Sequence, residues 1–360
     1  MAAARRTRAT LWLAVPVALL AAVVIPSPGH AAPIIAGGYA FTNFDFPSAG
    51  NSAGAGTNAN GIANNGAVVG FSIDNAGNFT NYVREPSGTA TLLNLPTPGM
   101  AFGINSVGDV VGVDQNGNAT FLPKGGSPQM LTTPGATSFA FGINDHGNIV
   151  GQYSSGGASP GFFLASHNGN GLITINGPGV ANIVNAQGVN DDGRIVGFYV
   201  GNDGEDHGFM ANAAAAHNGT LTGIAIADPT IPNVPGEPGA TFVFSQILGV
   251  NDHDLAVGYY GDSTTSQHGF FYDTTTGQYT FLDDPAAAFD NGVEVTQITG
   301  INNMGEITGF YSDANGVFHG FVACPVGVSC VPEPASLTLM GFGLAALGFT
   351  WRRGRRHAAR

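Results

Sequence analysis

Three histidines stand in the same tripeptide: His207-Gly208-Phe209, His268-Gly269-Phe270 and His319-Gly320-Phe321. Imidazole is the commonest side-chain ligand for transition metals, so the recurrence raises a metal site. Equivalent positions of a repeat lie far apart, however, unless they line a common axis. The reading adopted is therefore structural: each histidine caps or hydrogen-bonds a neighbouring turn, the glycine lets strands approach, and the phenylalanine packs between units. Calcium is the other cation to weigh. Asp74 to Asn78, Asp114 to Asn118 and Asp313 to Gly316 place side-chain oxygens in tight turns. Calcium takes about six to eight oxygens, and none of these spacings matches the usual calcium loop, so turn chemistry is expected there and no cofactor is assigned. For catalysis the chain offers no G-x-S-x-G elbow, no H-E-x-x-H and no phosphate-binding glycine loop with its lysine. Asp145, Asp191 and Asp252 recur at one repeat position, which argues for structure rather than for a single active site. No catalytic residue is assigned, and no metal ligand.

The elements that must position these residues come from a repeat. Gly142 to Gly151 reads GINDHGNIVG; GINSVGDVVG starts at 103, GVNDDGRIVG at 188 and GINNMGEITG at 300. Looser copies start at 61, with Ala63 in place of asparagine, and at 249, with Asp254 in place of glycine. In each copy an apolar run ends at Gly-Ile-Asn, a turn follows, and a β-branched and aromatic run begins. The runs are too short for helices. Asn105, Asn144, Asn190, Asn251 and Asn302 are expected to be structural, each amide bonding its own backbone two residues on. The Gly-Phe tripeptide opens a third run, and a fourth ends near proline or glycine: Leu131 to Gly135, Ile173 to Gly179, Phe281 to Pro285. Four short strands per unit of some tens of residues is the signature of a propeller blade.

Composition narrows the partners. All 24 acidic residues lie between Asp45 and Glu333, where the basic residues are Arg84, Lys124 and Arg194 until the terminal arginines begin. Such a surface repels phosphate backbones, so nucleic acid is excluded as a partner, while cations, neutral sugars and basic surfaces remain. Glycine, at 55 residues, suits a fold of many tight turns, and 43% hydrophobic residues leave ample surface to bury. Between residues 40 and 322 no long amphipathic helical pattern appears.

The ends carry their own signals. Arg5, Arg6 and Arg8, then the apolar Leu11 to Ile25, then Gly29-His30-Ala31 read as a signal peptide over residues 1–31. The strand Tyr39 to Phe46 resembles in its Phe44-Asp45-Phe46-Pro47 the segment Leu282 to Pro285, so it is expected to complete the last repeat and close the ring. Two insertions, Ala211 to Gly219 and the proline-rich Asp228 to Gly239, read as surface loops. Cys324 and Cys330 are the only cysteines and, in an exported chain, are expected to form a local disulfide. Beyond them come Pro332-Glu333-Pro334, 17 uncharged residues from Ala335 to Trp351, and Arg352-Arg353-Gly354-Arg355-Arg356. As a helix that apolar run spans roughly 25 Å, enough for a thin bilayer.

This tail resembles the PEP-CTERM sorting signal of Gram-negative bacteria, carried here by Pro332, Glu333, Pro334, Arg352, Arg353, Arg355 and Arg356. The resemblance implies transient anchoring in the inner membrane, recognition by an exosortase and delivery to the cell surface or matrix, often among exopolysaccharide producers. The body, over roughly 61–322, resembles the HAF-type extracellular repeats, which speaks to architecture and location rather than activity. The expectation is an all-β chain. A six-bladed β-propeller of four-stranded antiparallel blades spans 32–323, closed by the N-terminal strand. A linker follows over 324–331, then the sorting signal over 332–356 with a transmembrane helix at 335–351. Its expected role is a non-catalytic surface or matrix protein that binds exopolysaccharide. The alternative is an extracellular propeller hydrolase or lyase with a calcium-dependent site in the central channel.

Overall fold

The computed structural model describes residues 34–328, apart from 96–98, 168–170, 234–236 and 289–292. The described chain is all-β, with one 3-10 turn at Ala213–Ala215. Among the described residues no helix is long and apolar enough to cross a membrane. The expected span 335–351 lies outside them, as do the signal peptide 1–31, Cys330 and all seven residues of the sorting motif. Cys324 is described and is not a free thiol.

Each repeat forms an antiparallel run of strands in sequence order. The inner strands are Gly56–Ile62, Met100–Ile104, Ser138–Ile143, Val184–Val189, Phe242–Val250 and Thr296–Ile301. Each turns back through the Asn-x-x-Gly segment, or its variants at Ala63 to Gly66 and Asn251 to Asp254, into its second strand, as Ser138–Ile143 does into Ile149–Tyr153. Gly147 takes a φ of 77°, which a side chain resists, and Asp254 takes 61° in the copy that lacks the glycine. The Gly-Phe tripeptides lie in third strands, such as Asp206–Asn212 and Gln267–Asp273. Their phenylalanines, Phe209, Phe270 and Phe321, are completely buried, as is Phe162 of Pro160-Gly161-Phe162, which keeps the Gly-Phe without the histidine. Each such ring removes enough apolar surface from water to contribute about 1.5–3 kcal/mol. The clusters they join bridge consecutive repeats, as where Phe209 and Ile195 pack with Val150 and Phe163.

The fourth strands differ from the sequence expectation. The three expected ones are Gln129–Met130, Ile173–Asn176 and Gln278–Phe281, each ending before the proline or glycine segment, and Ala90–Leu92 and Ile224–Ala225 are fourth strands of two further repeats. Proline has no N–H to continue a ladder, so the chain leaves the sheet there. Leu131 and Leu282 turn into the core instead. The first insertion is not a plain loop either: Ala211 and Asn212 end the third strand, Ala213–Ala215 form the 3-10 turn, and just beyond it Thr220–Thr222 adds a parallel edge strand to Ile173–Asn176 of the preceding repeat.

The N-terminal strand Tyr39–Phe44 pairs antiparallel with the last strand, Phe318–Pro325, over six residue pairs from Tyr39–Pro325 to Phe44–Gly320. That last strand runs past the expected body boundary, so Cys324 belongs to it, opposite Ala40. Ile34–Ala36 then folds back on Tyr39–Phe44 as an outer edge.

Every inner strand slips register just before the signature glycine, at Ala59/Gly61, Ala101/Gly103, Ala140/Gly142, Ala186/Gly188, Ile247/Gly249 and Ile298/Gly300, and the fifth slips again at Phe242/Phe244. A bulge bends its strand and re-aims the residues around it. Here it pushes backbone against backbone. A Cβ on Gly103 would stand 3.1 Å from the Cα of Gly142, one on Gly249 3.1 Å from Gly300, and one on Gly300 3.3 Å from Gly61. The contacts run repeat to repeat and return from the sixth to the first. A Gly142→Val chain should lose about 1–3 kcal/mol of stability, because the added carbon meets the Gln187 carbonyl at 2.5 Å. A denaturant midpoint equal to wild type would show that these strands are free to separate.

Candidate functional site

The repeated asparagines come together around the axis. Asn144 accepts the Asn148 N–H at Oδ1 (2.8 Å) and donates from Nδ2 to the Asn190 carbonyl of the next repeat (2.8 Å). Asn105, Asn190, Asn251 and Asn302 repeat the pattern, Asn302 reaching the Ala63 carbonyl at 3.1 Å. The bond two residues on, which the sequence leads one to expect, occurs at Asn251 and Asn302. The bond to the neighbouring repeat is the larger finding. A second ring runs beside the first. The backbone N–H of Ser106 donates to Asp145, that of Asp145 to Asp191, that of Asp191 to Asp252, that of Asp252 to Asn303 and that of Asn303 to Asn64, at 2.7–3.0 Å. The recurring aspartates are therefore acceptors in a structural ring. Burial and the charge of Asp252 raise the Asp191 carboxyl above its ordinary value.

At the other mouth of the axis the residues inserted by the bulges face one another: Asn60, Phe102, Phe141, Gln187, Leu248 and Thr299. With Phe198, Gln246, Gln297 and Phe310 they line a cavity of about 190 Å³ that contains no charged side chain. Unlike the asparagine ring, this ring has a different residue in almost every repeat. The Phe102 and Phe141 rings lie 5.3 Å apart, tilted by 60°.

The three histidines do not meet one another. His207 and His319 are each held between two carboxylates, and His268 among three. His207 Nδ1 contacts Asp228 at 3.1 Å and Nε2 contacts Asp203 at 3.1 Å. His319 Nδ1 contacts Asp45 at 2.9 Å and Nε2 faces Asp313 at 3.7 Å. His268 Nδ1 contacts Asp283 at 2.9 Å, and its Nε2 faces Glu237 at 3.1 Å and Asp262 at 3.9 Å. A tyrosine of the second strand packs on each ring: Tyr199, Tyr260 and Tyr311, at 5.7, 5.1 and 5.2 Å. The clamp joins the turn after the second strand to the segment after the fourth. This explains the likeness of Phe44-Asp45-Phe46-Pro47 to Leu282 to Pro285, for Asp45 and Asp283 do the same work. The sequence reading missed these aspartates, although an aspartate one or two residues before proline, as also at Asp228-Pro229, is a legible signal.

The fifth repeat elaborates its clamp. Glu237 comes from the proline-rich insertion and Glu294 precedes the sixth inner strand. Side chains of Glu237, Asp262 and His268 are each 1% exposed, against 14% and 22% for His207 and His319. Burial pulls the His268 imidazole down, but the Asp283 hydrogen bond and the surrounding negative charge hold it up at about 9. Burial, then the Asp283 charge, pushes Glu294 up to about 7. The suggested calcium turns show no such convergence. Asp74, Asp114 and Asp313 each accept N–H groups of their own turn.

Residues 331–356 match the PEP-CTERM protein-sorting motif. That motif marks an exported protein, anchored in the membrane on its way to the surface, with exosortase as its processing partner. No curated protein matches the chain. Among solved structures, TolB from Acinetobacter baumannii is similar at 12% identity and a TM-score of 0.40, over 68% of this chain and 59% of TolB. The chain thus spans less than two thirds of TolB. A putative gluconolactonase is similar at 11% identity and a TM-score of 0.45, over 78% of this chain and 93% of its own. The Aleuria aurantia lectin in complex with α-methyl-L-fucoside follows at 12% and 0.37, over 81% and 99%.

The clamp that holds the N-terminal strand sets a pH dependence. The Asp45 hydrogen bond, opposed by burial, raises the His319 imidazole above its ordinary 6.5. The folded chain thus holds this proton more tightly than the unfolded chain does. The stabilisation is full below about 6.5 and fades as pH rises through the raised value. The gap in melting temperature between wild type and His319→Gln should be wider at pH 6 than at pH 9.5. An equal gap at both would mean that the clamp carries no charge.

Proposed function

We propose that the chain is a six-bladed β-propeller with HAF-type repeats, a non-catalytic module that binds neutral polysaccharide of the cell envelope or matrix. The observation that carries the binding reading is the axial mouth lined by Phe102, Phe141, Phe198 and Phe310 with Asn60, Gln187, Gln246 and Gln297. Aromatic faces cover the C–H faces of a sugar ring, amides satisfy hydroxyls, and an uncharged wall suits an uncharged ligand. The return of the inner-strand contacts from the sixth repeat to the first supports the blade count. Export supplies the location, since the sorted chain reaches a surface where polysaccharide is the abundant neutral polymer.

The rival reading, a calcium-dependent hydrolase or lyase, calls for carboxylates around the axis that break the repeat. Those present, Asp145, Asp191 and Asp252, share one repeat position and accept backbone N–H groups of the preceding repeat. Their ring is better accounted for as architecture than as a reaction centre.

Two measurements test the proposal. On an array of neutral glycans the full chain should bind, and Phe141→Ala should weaken binding tenfold or more; a blank array at high protein concentration would sink the reading. In a host that makes exosortase, wild type should leave the membrane fraction, whereas a chain with Glu333→Ala should accumulate there. Equal distribution of the two chains would mean that the motif is not processed.

A further inference from the structure

The buried cluster of the fifth repeat is built differently from the other two clamps. Glu237 and Asp262 each have one oxygen tied to hydroxyls. Ser266 Oγ donates to Glu237 Oε1, and Thr264 Oγ1 reaches Glu237 Oε1 at 3.2 Å and Asp262 Oδ1 at 2.6 Å. The backbone N–H groups of Thr264 and Ser266 also donate to Asp262 Oδ1, at 2.9 and 3.2 Å. The remaining oxygens, Glu237 Oε2 and Asp262 Oδ2, turn toward His268 Nε2, and the three atoms lie within 4.8 Å of one another. Asp262 Oδ2 is buried and makes no hydrogen bond. A buried carboxylate oxygen without a partner costs free energy unless a cation faces it.

The other side of the imidazole is equally prepared. Asp283 Oδ2 lies 2.9 Å from Nδ1, while Asp283 Oδ1 accepts the Gly269 N–H at 2.9 Å. A carboxylate on the far nitrogen is the arrangement that fixes the tautomer of a metal-bound histidine and leaves Nε2 free to bind. With Glu294 close by, four carboxylates stand around one imidazole.

We propose that Glu237 Oε2, Asp262 Oδ2 and His268 Nε2 bind one divalent transition metal of the zinc class, with Asp283 orienting the histidine. Ligand atoms around a tetrahedral zinc ion stand about 3.4 Å apart, and the present separations of 3.1 and 3.9 Å from Nε2 bracket that spacing. One nitrogen with two carboxylates suits zinc or manganese better than calcium, which prefers an all-oxygen shell. The side chains are closed to solvent, so the ion is structural. It fastens the proline-rich insertion, through Glu237, to the second and third strands of the fifth repeat. His207 and His319 have two carboxylates each and higher exposure, so they remain simple clamps.

The test uses the full chain, purified without a histidine tag, stripped with EDTA and titrated with zinc, manganese or calcium chloride by calorimetry. One zinc ion per chain with micromolar or tighter affinity is expected. Glu237→Gln should weaken it at least a hundredfold, His207→Gln should leave it unchanged, and zinc should raise the melting temperature of wild type only where Glu237 is intact. Absence of zinc binding, equal binding by Glu237→Gln, or tighter binding of calcium than of zinc would each overturn the proposal. Should Glu237→Gln fail to fold, X-ray absorption on zinc-loaded wild type decides: a shell of one imidazole with oxygens supports the site, and a shell without imidazole overturns it.

Discussion

The inner strands can approach only because their backbones carry no side chain at the point of contact. Gly61, Gly103, Gly142, Gly188, Gly249 and Gly300 stand at that point, and any Cβ there would meet the next repeat at about contact distance or closer. The bulge beside each glycine is the second half of the same constraint, since it turns the strand edge toward its neighbour. With the backbones this close, the Asn Nδ2 groups reach the next repeat's carbonyls and the Asp and Asn oxygens meet its N–H groups. Those bonds would otherwise go to water. Buried between repeats, they must be made, and an unpaired member would cost about 1–3 kcal/mol.

From the same constraint follows the division of labour along the axis. One mouth is a ring of near-identical polar residues satisfied among themselves, and its variation is limited because each member serves two repeats. The other mouth is formed by the bulged residues, whose types differ from repeat to repeat: phenylalanine, glutamine, asparagine, leucine and threonine all occur. Asn60 and Thr299 also donate to carbonyls of the neighbouring inner strands, Ala101 and Ala59. Architecture and recognition thus occupy opposite ends of one strand segment.

The histidine clamps hold the periphery in the same manner. Each joins two connections that would otherwise be free, and the one in the sixth repeat holds the N-terminal strand through Asp45 where that strand supplements the last repeat. In the fifth repeat the clamp has become the anchor of an insertion, by adding Glu237 and burying all the partners. Pocketed charge of this density calls for a counter-charge, which separates this clamp from its two relatives.

Much of this was legible in residue types and spacing. Short β-branched and aromatic runs, Asn-x-x-Gly turns and the glycine signature define the strands and hairpins, because these are local choices of backbone conformation. The resemblance of Phe44 to Pro47 with Leu282 to Pro285 even points to the strand that pairs with the last repeat, since both segments meet equivalent histidines. What the sequence alone did not determine is which side chains meet across repeats. The Asn-to-carbonyl ring links residues 39 to 61 positions apart in sequence, and to 239 where it returns to Ala63. The Glu237 contact joins an insertion to a strand 31 residues later. Such contacts depend on how bulged strands pack in three dimensions, and no local propensity encodes them. Only the folded structure converts a proline-rich loop and a structural histidine into one buried site.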